Sequence, residues 1–237
     1  MTEHTDMRMT LRAMSLLLGY PSAELQAHVG ELRAALRAEG ALPPEALRRL
    51  EPLLRSFETE DLLDLQAAYS ELFDRSRALS LHLFEHVHGD SRERGQAMID
   101  LGQQYVDRGF VMEVAELPDF LPMFLEFLSC SPPREAREWL GEPAHVLAVL
   151  DQRLSERDSP YAAVFHALLA LASAMPDRAA VEELEQRTAP KAEKSIDEEW
   201  EDAPVNFGAP VPDHGGPTGV VAKIRAARRA VQAVIKS

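Results

Sequence analysis

Residues 60–74, EDLLDLQAAYSELFD, carry apolar side chains at Leu62, Leu65, Tyr69, Leu72 and Phe73. Steps of three, four and three mark one face of a helix, and most acidic residues fall on the other positions. A strand would need strict alternation, which this segment lacks. Thr59, just ahead of it, is placed to cap the helix.

The same period continues in both directions. Upstream, Leu11, Met14, Leu17 and Leu18 share a face that ends at Gly19-Tyr20-Pro21. Ser22 is the expected N-cap of a helix carrying Leu25, Val29, Leu32 and Leu36, and Gly40 is its expected stop. Pro43 and Pro44 open a third helix. Pro52, which has no N–H, is expected to kink or split it. Downstream, RSRA breaks the pattern before LHLFEHVHGDSRERG (81–95). Gly89 or Asp90 ends that stretch, and Ser91 caps a long helix to Arg108 with Met98, Leu101 and Tyr105 facing inward. In ELPDFLPMFLEFLS (116–129), an N-cap at Asp119 would put Pro122 in the first turn, where a missing N–H costs little. Helices are also expected over 133–140, 143–156 and 160–174. The expected fold is all-α, one bundle-like domain of about eight to ten helices.

That domain is expected to span 1–176. Residues 177–219 read as an acidic, Pro- and Gly-rich linker that opens with a short polar helix over 177–187. Residues 220–237 read as a basic amphipathic helix, with Lys223, Arg225, Arg228, Arg229 and Lys236 and no acid. Such a helix docks on a membrane surface or a partner, or folds back onto acidic parts of its own chain.

The net charge of −14 excludes phosphate backbones and anionic lipid as natural partners and favours a basic one. The single cysteine, Cys130, rules out an internal disulfide and reads as a small buried hydrophobe. No apolar run is long enough to span a membrane, and the N-terminus is polar, so the chain is expected in the cytoplasm, with no membrane insertion.

His82, His86 and His88 fall within seven positions, with Glu85 among them. A metal-dependent enzyme could use His82 and His86 with Glu85 or His88 as a third ligand. The thermolysin-type pattern would need a glutamate directly after the first histidine, where this chain has Leu83. Histidines four apart equally lie on a plain polar helix face. Glycine-rich phosphate loops and nucleophile elbows are absent, and the Glu198-Glu199 pair sits in the linker, so no catalytic set emerges. A binding protein is the simplest reading. A helical scaffold with an unrelated partner is the alternative beside the metal enzyme.

Four stretches carry a resemblance: YSELFDRSRALSLHLFEHVHGDSRERGQAMIDL (69–101), ELPDFLPMFLEFLS (116–129), SPYAAVFHALLAL (159–171) and DEEWEDAPVNFG (197–208). In this order they resemble the nitrate reductase delta-subunit family of NarJ-type molybdenum-cofactor assembly chaperones, from about residue 10 to 208. ELPDF also resembles the Glu-x-Pro-Asp motif of the wider TorD and DmsD chaperone group, with Phe120 where that group usually has histidine. The resemblance implies a cytoplasmic, non-catalytic, all-α chaperone. It implies binding of the N-terminal segment of the catalytic alpha subunit of respiratory nitrate reductase. The apoenzyme is thereby held competent for insertion of bis-molybdopterin guanine dinucleotide before membrane docking. No stably bound cofactor is implied for the chaperone itself, and the cofactor-delivery machinery is a further implied partner.

By matching stretches, the resemblance lines the peptide groove from Tyr69, Leu72 and Phe73, from His82, Phe84, Glu85, His86 and His88, and from Glu116, Pro118 and Asp119. Phe73 and Phe84 would be apolar anchors or groove walls. Glu85, Glu116 and Asp119 would meet peptide cations. Tyr69, Leu72 and Phe73 also fit plain core, and Asp119 also fits a helix cap. Protonation of the three histidines would add up to three charges beside the groove and weaken a basic ligand.

Overall fold

The computed structural model describes residues 6–75, 77–89, 91–111, 116–172 and 176–188. The expected acidic linker beyond 188 and the basic terminal helix lie outside them. Eleven α-helices occur among the described residues: α1 Arg8–Leu18, α2 Ala23–Glu39, α3 Pro44–Thr59, α4 Leu62–Phe73, α5 Leu83–His88, α6 Glu93–Asp107, α7 Leu121–Ser129, α8 Pro133–Gly141, α9 Ala144–Ser155, α10 Ala162–Leu171 and α11 Arg178–Arg187. A 3₁₀ turn at Arg77–Leu79 links α4 to the histidine stretch. The expected all-α class is what the chain adopts.

Helix boundaries follow local chemistry. Ser22 caps α2 by accepting the Leu25 N–H at 3.1 Å, and Gly40 ends it with φ +66°, a conformation that disfavours any residue with a Cβ. Two expectations fail. Asp61, not Thr59, caps α4; its carboxylate accepts the Leu63 N–H at 2.8 Å, while the Thr59 hydroxyl donates back to the Arg55 carbonyl. Pro52 does not split α3, which runs unbroken. Pro52 is exposed, so the helix carbonyl it cannot serve is left to solvent.

The core joins segments distant in sequence. α1 is sandwiched between α2 and α7, and α10 packs on α9 and α3. Leu11, Met14 and Leu18 of α1 and Leu121, Leu125 and Leu128 of α7 are fully buried. The Ser15 hydroxyl donates to the Pro122 carbonyl at 2.7 Å, and the Tyr69 hydroxyl to the Leu18 carbonyl at 2.8 Å. The second bond satisfies a carbonyl at the C-terminal end of α1 that would otherwise be unpaired in the interior. Cys130 corrects an expectation: it follows the last turn of α7 and is exposed. None of the described helices is long and apolar enough to cross a membrane.

Candidate functional site

The histidine stretch and the Glu-Leu-Pro-Asp stretch meet as two short antiparallel segments. His82 and Phe120 form an isolated bridge, in which the Leu83 N–H donates to the Asp119 carbonyl and the Leu121 N–H to the Leu81 carbonyl, at 3.0 and 2.9 Å. Asp119 is fully buried between them. Its Oδ2 accepts the Phe84 N–H at 3.0 Å, and its Oδ1 lies 3.1 Å from His82 Nδ1. Phe84 is the second residue of α5, so Asp119 performs the work of an N-cap across a gap in the chain. Its own helix, α7, begins at Leu121 and has no side-chain cap, which puts Pro122 at its second position.

The histidines diverge. The hydrogen bond to Asp119 raises the pKa of His82, against an opposing pull from burial. His86 is buried, and its Nε2 is 2.8 Å from the Ser80 carbonyl, which makes that nitrogen the proton donor. Burial lowers its pKa. The His88 ring lies edge-on to Phe84 at 5.4 Å. Asp119 thus favours the charged form of His82, whereas burial disfavours that of His86. His86 and Asp119 are both enclosed, and their polar atoms hold the turn. No group of three or more His, Cys, Asp or Glu among the described residues is arranged to hold a metal ion.

Further bonds fix the turn. Arg94 pairs with Glu85 at 3.2 Å, and the Tyr105 hydroxyl donates to the Pro118 carbonyl at 2.8 Å. The Arg187 guanidinium donates to the His86 carbonyl at 2.7 Å, and buried Arg153 donates to the Ala78 carbonyl and the Thr188 hydroxyl. The turn is thus anchored from α6, α9 and α11. The His82 ring packs against Phe120 at 5.2 Å and so sets the position of that side chain.

Phe120 is one wall of an open groove of about 470 Å³ between the end of α1, the end of α4 and the start of α7. Leu16, Tyr20, Leu25, Tyr69, Phe120 and Met123 supply its apolar surface, and Asp74, Glu116 and Glu126 its charge; the lining holds no cation. Leu16 and Tyr20 are each 55% exposed, an unusual state for apolar side chains side by side. Tyr69 is buried behind Tyr20 with their rings edge-on at 5.5 Å, and Phe73 stacks behind Tyr69 at 4.9 Å. Of the expected site residues, the groove takes Tyr69 and Glu116. Phe73 is core, and Leu72 packs at the core's edge. His82, Phe84, Glu85, His88 and Pro118 lie in or against the supporting turn rather than in the lining. Leu16, Tyr20, Asp74 and Glu126 were missed by sequence reasoning. The one signal is that Leu16, off the buried face of α1, and Tyr20, just past the end of that helix, stand four apart.

Comparison with known proteins follows this geometry. Residues 21–167 match the family described as "Nitrate reductase delta subunit". The chain is 46% identical to "Nitrate reductase molybdenum cofactor assembly chaperone NarJ" of Escherichia coli K12, over 83% of this chain and 84% of that one. It is 39% identical to "Probable nitrate reductase molybdenum cofactor assembly chaperone NarW" of the same organism, over 83% of each. It is 32% identical to the probable NarJ of Bacillus subtilis 168, over 75% of this chain and 96% of that one. The chain belongs to the nitrate reductase delta subunit family, as a NarJ-type assembly chaperone and not an enzyme.

Proposed function

We propose that the chain binds a basic, amphipathic N-terminal segment of the catalytic alpha subunit of a nitrate reductase, in the groove beside α1. It keeps the apo-subunit open to insertion of bis-molybdopterin guanine dinucleotide before the subunit docks at the membrane. This takes place in the cytoplasm, in exchange with the cofactor-delivery machinery, and the chaperone retains no cofactor of its own. One observation carries the reading: the groove joins exposed apolar side chains to Asp74, Glu116 and Glu126 without a cation in its lining. A helix with apolar residues every three to four positions fits such a surface, and its Lys and Arg meet the carboxylates. Tyr69 and Phe73 support Tyr20 from within. Asp119 and the histidine turn hold Phe120.

The test is calorimetric titration with a synthetic peptide of the alpha subunit's N-terminal segment, at low and high salt. Binding that weakens with salt is expected, because exposed charge pairs are screened. Glu116→Lys/Glu126→Lys should weaken it at least tenfold. Binding indifferent to both salt and charge reversal would overturn the reading.

A further inference from the structure

Among the described residues, helix α6 presents a second unpartnered surface. Ile99 and Val106, seven residues apart, are 65% and 61% exposed, and Val111 just past the helix is 88% exposed. On the opposite side Leu101 and Tyr105 are buried, so the helix is apolar on both faces and packs through one. Beside the Ile99–Val106 ridge run Gly95 and Gly102, one helical heptad apart. Glycine is the poorest ordinary helix former after proline. No backbone need explains Gly95: a Cβ there would meet nothing within 4 Å. The two glycines leave a shallow channel in which another helix can approach closely.

The other border of the ridge is acidic. Glu93, Asp100 and Asp107 recur every seven residues and are exposed. Asp100 and Asp107 accept from the Gln96 and Gln103 side-chain amides at 2.7 Å and pair with no cation among the described residues. Arg94 is turned to Glu85, Arg108 is turned to Glu135, and Arg92 precedes the first turn. A second copy of the chain is a poor occupant, because pairing two such faces antiparallel sets Asp100 near its own counterpart. Like charges in that position repel.

We infer that the outer face of α6 is a docking site for a cationic amphipathic helix of another protein chain. Its apolar row would lie in the Gly95–Gly102 channel against Ile99 and Val106, and its Lys or Arg would face Glu93, Asp100 and Asp107. The ridge residues are not among those lining the groove beside α1, so the two surfaces can be altered separately by substitution.

The full chain is titrated with an 18-residue synthetic helix bearing leucine on one face and lysine along its flank, and with the same peptide carrying glutamate for lysine. The wild type is expected to take up one equivalent of the lysine peptide at this face, in addition to any bound by the groove. Ile99→Asp/Val106→Asp should remove one equivalent, and so should Gly95→Leu, which fills the channel without weakening the fold. Leu16→Asp/Tyr20→Ser reports the groove alone and should leave the α6 equivalent in place, so failure at one surface is separable from failure at the other. The inference is overturned if the α6 variants bind as the wild type does, or if the glutamate peptide binds equally well. It is also overturned if sedimentation shows a wild-type dimer that Ile99→Asp/Val106→Asp dissociates.

Discussion

Asp119 should be the residue on which the site's architecture depends most sharply. Asp119→Ala strips the cap from the Phe84 N–H, at about 1 kcal/mol. It also leaves buried groups without their hydrogen-bond partner, a further cost of about 1–3 kcal/mol. The His82 side chain is 31% exposed, so solvent screens its share and holds the second figure down. A total of about 3 kcal/mol lowers Tm by roughly 6–12 °C in a domain of this size. Asp119→Asn separates the two contributions, since it retains an oxygen for Phe84 and loses the charge opposite His82. The His82 pKa is raised in the folded protein, so its stabilisation is complete below the unfolded value near 6.5 and vanishes as pH rises through the folded value. The wild type should therefore exceed Asp119→Asn by more at about pH 6 than at about pH 8.5. His86 acts with the opposite sign but is present in both proteins and largely cancels. Thermal unfolding followed by circular dichroism at the two pH values gives the comparison. Equal Tm values for wild type and Asp119→Ala, or a gap to Asp119→Asn that widens toward alkaline pH, would refute the capping argument.

Three other changes test neighbouring parts. His86→Ala leaves the Ser80 carbonyl without its donor and opens a void, so urea denaturation should show a loss of about 2–4 kcal/mol. The same buried imidazole, with its pKa lowered, makes His86 a source of instability that grows as pH falls below the unfolded histidine value. Tyr69→Phe removes only the hydroxyl bond to Leu18 and should cost about 1 kcal/mol by urea titration, with binding in the groove unchanged because the ring still backs Tyr20. Arg153→Met removes the donors to Ala78 and Thr188, and amide hydrogen exchange should show α11 losing protection before the remaining helices.

The helical class was legible because apolar residues at steps of three and four admit little else, and Ser22 and Gly40 announced their roles through purely local chemistry. Pro52 misled because the rule against helix prolines weighs a lost hydrogen bond, and at an exposed position water takes its place. Asp119 was read as a cap for the helix after it. Local spacing sees only partners a few residues away, whereas its acceptor bonds reach back to Phe84 and His82. The groove was largely illegible for the same reason. Leu16, Tyr69, Asp74, Glu116 and Glu126 lie far apart in sequence, and tertiary packing, including that of α1 against α7, unites them. The histidine stretch was recognisable as a marker, and the contact that spacing could not show is the one between His82 and Phe120, a wall of the groove.

The burial of α1 against α7 orders events during synthesis. At about 5–20 residues per second, roughly 5–20 s separate the translation of Leu18 from that of Leu121. Through that interval the side of α1 that α7 will cover has no permanent neighbour, and α2 shelters only part of the helix. Leu11, Met14 and Leu18 are then part of an exposed apolar segment on the ribosome, of the kind that general chaperones shield. A nascent chain that has not reached Glu126 has no complete groove, so this assembly chaperone passes through an unguarded stage of its own before the groove exists.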